Sequence, residues 1–350
     1  MIWPVVSLLR VVMGDTVGPV RLFVPTPAEA RAGLRALKTV LTRQAPLNII
    51  ETRLLEAAQT HILRQHHDVE SLPVIDPTEL ADTVRDPGVR AQLINAMVIA
   101  SFASGDANEQ QVEQISTFAE ALDIAPPALN TLRRLIRKQL ALLRYDILRH
   151  MYIGERIAEI LDDRGVRGIL GLIGNLRGWN EDPQLAARYQ ALGVLPRETL
   201  GREYFEHCRR AGFALPGERY GVIERMVVHD MAHVLGGYAT DPAGEMQVAA
   251  FTAGFRREQS LHIMLFVLCQ FDLGVQMVPV APPELGTLDP DAFMTALVRG
   301  SNMTEDLFDD WDYWAVVDKP LSVLRKRYGI AVAATPPRAR TLSDLILVKA

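Results

Sequence analysis

The sequence predicts an all-α protein built from two helical bundles, and three observations carry that prediction. Apolar residues recur three and four positions apart through ARAGLRALKTVL, TRLLEAAQTHILRQ, RAQLINAMVIASF, EQQVEQISTFAEAL and LNTLRRLIRKQLALLRYDILRHMYIGERIAEIL, which is the period of one helix face. Only the β-branched run VGPVRLFVP, near residue 20, reads as a strand. Between the helical stretches the chain is punctuated by Leu72-Pro73, Asp76-Pro77, Asp86-Pro87-Gly88, Ser104-Gly105-Asp106, Pro126-Pro127 and Glu181-Asp182-Pro183, all read as loops.

Residues 1–46 form an N-terminal segment. It begins MIWPVVSLLRVVMGD, where Pro4 and Arg10 interrupt the apolar run and no basic region precedes it, so a signal peptide is not expected. Residues 47–150 form the first helical domain. There Asp106 or Asn108 can cap the helix that follows; Asp106 and Glu109 have the capping-box spacing, and the same two carboxylates could instead hold an ion. His61, His66 and His67 have only Asp68 beside them and read as a helix end facing solvent. Arg133, Arg134, Arg137, Lys138 and Arg144 flank a leucine stripe, which suits a solvated face or a contact with anionic lipid or a partner. The helix starting near Leu129 is expected to run through residue 150 into the second domain, residues 151–330. In that domain GILGLIGNLRGW carries Gly168, Gly171, Gly174 and Gly178, without the Gly-Lys-Ser/Thr of a phosphate loop or the GxGxxG dinucleotide spacing. Close helix packing or a kinked helix is the expected use. Residues 331–350 form a proline-containing tail.

Composition narrows the function classes. Hydrophobic residues make up 49% and charged residues 23%, the balance of an ordinary globular protein. A net charge of −5 argues against a nucleic-acid partner bound by bulk electrostatics. Cys208 and Cys269 have no metal-ligand spacing and suit a reducing cytoplasm. The longest later apolar run, within LHIMLFVLCQF, falls well short of the roughly 20 residues of a membrane span, so contact with a membrane is expected to be peripheral at most.

The strongest chemical signal is HDMAHVLGGYATDPAGE. Helical spacing puts the imidazoles of His229 and His233 on one face, a turn apart, as a helix needs to grip a divalent cation. Gly236 and Gly237 can stop that helix, Asp241-Pro242 turns the chain, and Glu245 can bring a carboxylate back to the same ion. Asp230 can ligate, hold a water or orient a histidine; it is shorter than the glutamate that serves as base in the HExxH proteases. Asp230 is also the candidate catalytic group. Two imidazoles with one or two carboxylates suit zinc, and also ferrous iron or manganese. Arg202, Glu203 and Tyr204 are candidates to face the same pocket. Met246, Val248, Phe251, Leu261, Met264, Leu265 and Leu268 would line an apolar tunnel or form plain core.

Two resemblances to known families follow from these motifs. The 47–150 segment, with SGDANEQQVEQISTFAEALDI at its centre, resembles the TerB-like helical domains associated with tellurite resistance, in which a short acidic loop precedes a helix. From Leu195 onward the chain resembles the coenzyme Q (ubiquinone) biosynthesis protein 4 family in three segments taken in order. These are LPRETLGREYFEHCRRAGF; the signature His-Asp-x-x-His with a Glu after eleven further residues; and DLFDDWDYWAVVDKPLSVLRKRYGI. The chain departs from that family at Met231-Ala232, where an aromatic pair is usual, and in its fused N-terminal domain. The resemblance implies a divalent ion, usually taken as zinc, held by His229, Asp230, His233 and Glu245 at the polar end of a tunnel for a polyprenyl chain. It implies action on a prenylated quinone precursor, in replacing the ring C1 carboxyl by hydroxyl, alongside other quinone-biosynthesis proteins at the inner membrane face. A non-catalytic lipid-binding scaffold and a metal-dependent hydrolase are the alternative expectations.

Overall fold

The computed structural model describes residues 22–125, 128–151, 181–256, 260–278, 281–309 and 311–331. Among the described residues the chain is all-helical, with fourteen α-helices, no strand and isolated β-bridges only. In chain order these are α1 (Pro27–Leu41), α2 (Ile49–Ala57), α3 (Pro77–Thr83), α4 (Pro87–Ala103), α5 (Glu109–Ala121), α6 (Leu129–Ile136) and α7 (Leu140–Arg149). There follow α8 (Pro183–Gln190), α9 (Leu200–Ala211), α10 (Val227–Gly236), α11 (Pro242–Phe255), α12 (Ser260–Phe271), α13 (Pro290–Ser301) and α14 (Leu321–Arg327). A π-helical turn, Ala58–Leu63, extends α2. The expected strand is irregular over residues 22–25, and the rest of it lies outside the described residues, as do the 168–178 glycines and all of the tail beyond Ala331.

The aspartate–proline pairs are helix starts rather than loops, which corrects the sequence reading. Asp76, Asp86, Asp182, Asp241 and Asp289 are N-caps whose carboxylates accept from first-turn amides, each with proline following in that turn. Proline has no N–H to leave orphaned there and its φ is already helical, while the aspartate satisfies the amides that remain. Asn108, not Asp106, caps α5, accepting from the Gln111 amide at 3.0 Å.

The expected long helix from Leu129 also differs: it breaks between α6 and α7, where Lys138 takes a left-handed φ of 54°. A buried carboxylate fastens the two pieces. Asp146 of α7 accepts from the Thr131 hydroxyl at 2.5 Å and pairs with Arg134, both on α6, and with Arg149 at 2.9 Å. Burial works against ionisation of Asp146, but the hydroxyl and the two guanidiniums outweigh it and hold its carboxyl below the usual range. The basic face is thus partly consumed within the fold, since Arg137 also pairs with Glu109 at 2.9 Å.

The chain packs as two compact units, residues 1–172 with 240–311 and residues 173–239 with 312–350. In the first, α4 touches α1, α2, α5, α6 and α12, while α11 packs on α12 and α13, and α13 on α2 and the π-helical turn. Helices from either side of residue 150 therefore share one core, with Leu55, Met97, Phe102, Phe118, Phe251 and Leu265 fully buried. The α11–α13 crossing needs glycine: a Cβ at Gly300 would lie 1.9 Å from the Phe251 carbonyl oxygen, and one at Gly254 2.3 Å from that of Leu297.

In the second unit α9 packs on α10 and on the 3-10 turn Ala191–Val194, and α10 packs on α14. The free amides that open α9 are satisfied by chain rather than by a side-chain cap: Leu200 donates to the Lys319 carbonyl and Gly201 to that of Val317. Glu224 gathers the aromatic residues, accepting from the Tyr189 hydroxyl at 3.1 Å and the Trp314 indole at 2.9 Å. Arg188 lies over Trp314 at 3.6 Å. No described helix is long and apolar enough to cross a membrane.

Candidate metal centre

Helix α10 carries its chemistry on one side and its packing on the other. Val227, Met231, Ala232 and Leu235 are fully buried, which fixes the rotation of the helix and leaves His229 half-buried a turn before the buried His233. The helix stops as the sequence predicts. Gly237 takes a φ of 75°, and the amides of Gly237 and Tyr238 both donate to the His233 carbonyl. Arg325 of α14 donates to the last free carbonyls, Leu235 at 2.9 Å and Val234 at 3.1 Å, adding positive charge at the C-terminal end.

That stop also orients His233. Its Nδ1 faces the Tyr238 carbonyl at 3.4 Å, so the proton belongs on Nδ1 and the Nε2 lone pair points outward. Nε2 of His229 lies 3.3 Å from Nε2 of His233, with the two rings at 90°. A tetrahedral ion with Zn–N bonds of about 2.0–2.1 Å holds its nitrogens roughly 3.3–3.4 Å apart, so the pair already has the spacing of two ligands on one ion. Glu245, in the first turn of α11, completes a group: it and the two histidines each offer one ligand atom, all within 4.8 Å of one another.

Asp230 does not belong to that group. Next to His229 it points about 100° further round the helix, and its charge acts on Tyr204 and Cys208 of α9. Burial first, and Asp230 second, push the Cys208 thiol up to about 12, so it stays a neutral thiol in the folded chain. Burial likewise raises the Tyr204 hydroxyl, which sits beside that thiol. Of the other candidates on α9, Arg202 pairs with Glu206 at 2.5 Å, and Glu203 accepts from the Glu198 amide at 3.2 Å. Only Tyr204 of the three is buried on the α10 side.

The sequence reading missed His207, which is buried on α9 with its ring centroid 5.5 Å from that of His233. The available signal was its place one turn after Tyr204 on the face that covers α10. His61 belongs elsewhere, with Nε2 3.0 Å from the Asp291 carboxylate. Glu109, the other proposed ion ligand, is engaged by Arg137. Among the described residues, His229, His233 and Glu245 are the group of three side chains that could hold a metal. Compared with known protein families and with curated proteins, the chain matches none.

Proposed function

We propose that this chain binds one divalent metal ion through His229, His233 and Glu245. We further propose that it acts on a prenylated, quinone-type lipid of ubiquinone biosynthesis, in the replacement of the ring C1 carboxyl by hydroxyl. The observation that carries the reading is the 3.3 Å approach of two Nε2 atoms on α10 beside an acidic side chain. The same two nitrogens can share a single N–H···N hydrogen bond, so the carboxylate beside them carries the metal reading: two nitrogens with one carboxylate are the donor set of zinc sites that keep a position open. The same donors accept iron or manganese.

When bound, such an ion supplies Lewis-acid stabilisation of negative charge on a carboxylate or phenolate head group. The chain's own residues do the rest. The Tyr238 carbonyl fixes the His233 tautomer, and Arg325 with Gly237 fixes the end of α10 on which that ring sits. Glu245 offsets one unit of positive charge, and Asp230 holds a second carboxylate beside Tyr204 at the flank of the centre. The lipid class and the reaction rest on the three motif segments from Leu195 onward.

The test is metal analysis and lipid mass spectrometry on the purified full chain, together with quinone synthesis in cells that depend on it. One equivalent of metal, a co-purifying polyprenyl lipid, and loss of metal and synthesis in a folded His233→Ala variant are expected. Stoichiometric lipid with unchanged synthesis in that variant would leave a scaffold; metal-dependent ester or phosphate hydrolysis without lipid would replace the reading altogether.

A further inference from the structure

The first unit contains a cavity of about 280 Å³ among α1, α2, the π-helical turn, α4, α11, α12 and α13. Leu37, Leu55, Ile99, Met264, Phe293 and Met294 give it an apolar wall. Among the described residues no lysine, arginine or histidine lines it, and its one carboxylate, Glu29, is committed elsewhere. Glu29 accepts from the Thr26 amide at 2.9 Å, the Thr26 hydroxyl at 2.8 Å and the Arg85 amide at 3.3 Å. Gln92 is committed too: its Oε1 accepts from the Phe23 amide at 2.9 Å and its Nε2 donates to the Phe23 carbonyl at 3.0 Å. The amide of Asn95 and the hydroxyl of Ser260 are the remaining polar side chains of the wall.

The space is a pocket partly open to solvent, with a wall that is almost wholly apolar. An apolar void of about 150 Å³ stays dry and takes up benzene, so a space nearly twice as large matches an apolar molecule of about ten to twelve carbons. Two features mark a built site. Ala58, Ile62 and Leu63 bring the π-helical turn into the wall, and such turns are frequent at functional sites. Leu22 and Phe23 close another part of the wall as a strap, pinned at the backbone by Gln92 and seated on Gly88, where a Cβ would come within 2.3 Å of the Phe23 ring.

We propose that this cavity binds a neutral aliphatic molecule, or the neutral end of an aliphatic chain, of about ten to twelve carbons. Among the described residues no cation stands at the wall to meet a carboxylate or phosphate head group drawn into the apolar space, which favours a neutral occupant over an anionic one. Binding requires no metal ion and so stands apart from the centre on α10.

The experiment titrates the full chain with the neutral ten-carbon fluorophore 1-aminonaphthalene, then competes it with 1-decanol and with decanoate, each below its aggregation concentration. Saturable binding of one probe per chain is expected, displaced by 1-decanol at least about tenfold more effectively than by decanoate and unchanged by EDTA. Ala96→Phe, which fills the cavity from α4, should weaken both probe and decanol by about tenfold or more while the chain stays folded. Gly33→Ala guards against a folding failure, because its new Cβ would meet Leu93 at an ordinary 3.5 Å within α1 and should still weaken decanol. Non-saturable probe uptake, equal affinity in folded filled variants, equal competition by decanoate, or loss of binding with EDTA would each overturn the proposal.

Discussion

His150 and His262 meet face to face, with ring centroids 4.5 Å apart and planes inclined by 23°, whereas His229 and His233 meet at 90° with Nε2 facing Nε2 at 3.3 Å. The first pair joins the end of α7 to α12 and uses the rings as flat surfaces. Burial, then the neighbouring His150, push the His262 imidazole down to about 4, with Arg149 adding to the effect and Asp146 opposing it. That pair is packing, and it works only while His262 is neutral. The second pair turns ring nitrogens inward on one another, beside a carboxylate. Residue type does not separate a packed histidine from a candidate ligand; the direction of the ring nitrogens does.

The largest effect expected from this contrast is on metal-linked stability. A metal that binds only the folded chain, at a free concentration about a thousand times its Kd, adds about 4 kcal/mol. Denaturant unfolding with and without chelator should show that difference in the parent chain and in His262→Gln, and should not show it in His229→Ala or His233→Ala. A metal increment that survives both α10 substitutions would place the ion elsewhere.

Acid should act on the other pair. The folded His262 has a pKa of about 4, below its ordinary value of 6.5, so the unfolded chain binds the extra proton between those values. Stability from a neutral His262 is therefore present above pH 6.5 and is lost as pH falls towards 4, by about 3 kcal/mol. Chelated protein unfolded in denaturant at a series of pH values should show this loss, and His262→Gln should flatten it across the same window. Asp146, whose carboxyl is held low, adds its own loss only as pH falls further, through that carboxyl's folded value. An unflattened curve in His262→Gln would mean that another group dominates the acid transition.

A smaller effect tests how the ring of His233 is aimed. Gly237→Ala places a Cβ on a residue with φ of 75°, at a cost of about 1 kcal/mol. If the Tyr238 carbonyl holds the tautomer, the distorted turn should also weaken metal affinity by about tenfold, a typical effect of losing an outer partner. Stability lost without any change in affinity would assign the glycine to folding alone.

Much of this contrast was visible in the chain, and the invisible part has identifiable causes. The spacing of His229 and His233 fixes a common helix face wherever the helix forms, and Gly237 marks its end, so the convergence of the two imidazoles could be read directly. Asp230 looked equivalent because it is adjacent, yet one residue of helical rotation takes it out of the group and towards Tyr204 and Cys208. His150 and His262 are far apart in sequence and no local pattern joins them. The break at Lys138 was hidden because apolar spacing continues on both sides of it, while the bonds from Asp146 to Thr131 and Arg134 are made only once α6 and α7 fold back on each other. The aspartate–proline pairs were ambiguous by composition alone, since the same two residues open a turn or a helix. Which one forms depends on the apolar face that follows.

The loop before α5 repeats, among carboxylates, the choice between cap and ligand that the histidines pose. Asp106 and Glu109 have the spacing of an acidic ion-binding loop, but Asn108 supplies the cap and Arg137 occupies Glu109. Asn108→Ala should therefore cost about 1 kcal/mol, the usual penalty for losing an N-cap. Asp106→Ala should change stability by no more than about 0.5 kcal/mol, as at an ordinary surface position. Added calcium or zinc should shift neither variant relative to the parent once the α10 centre is removed by His233→Ala. A cation-dependent gain that disappears in Asp106→Ala would make the loop a second metal site, and its acidic residues ligands rather than helix-start chemistry.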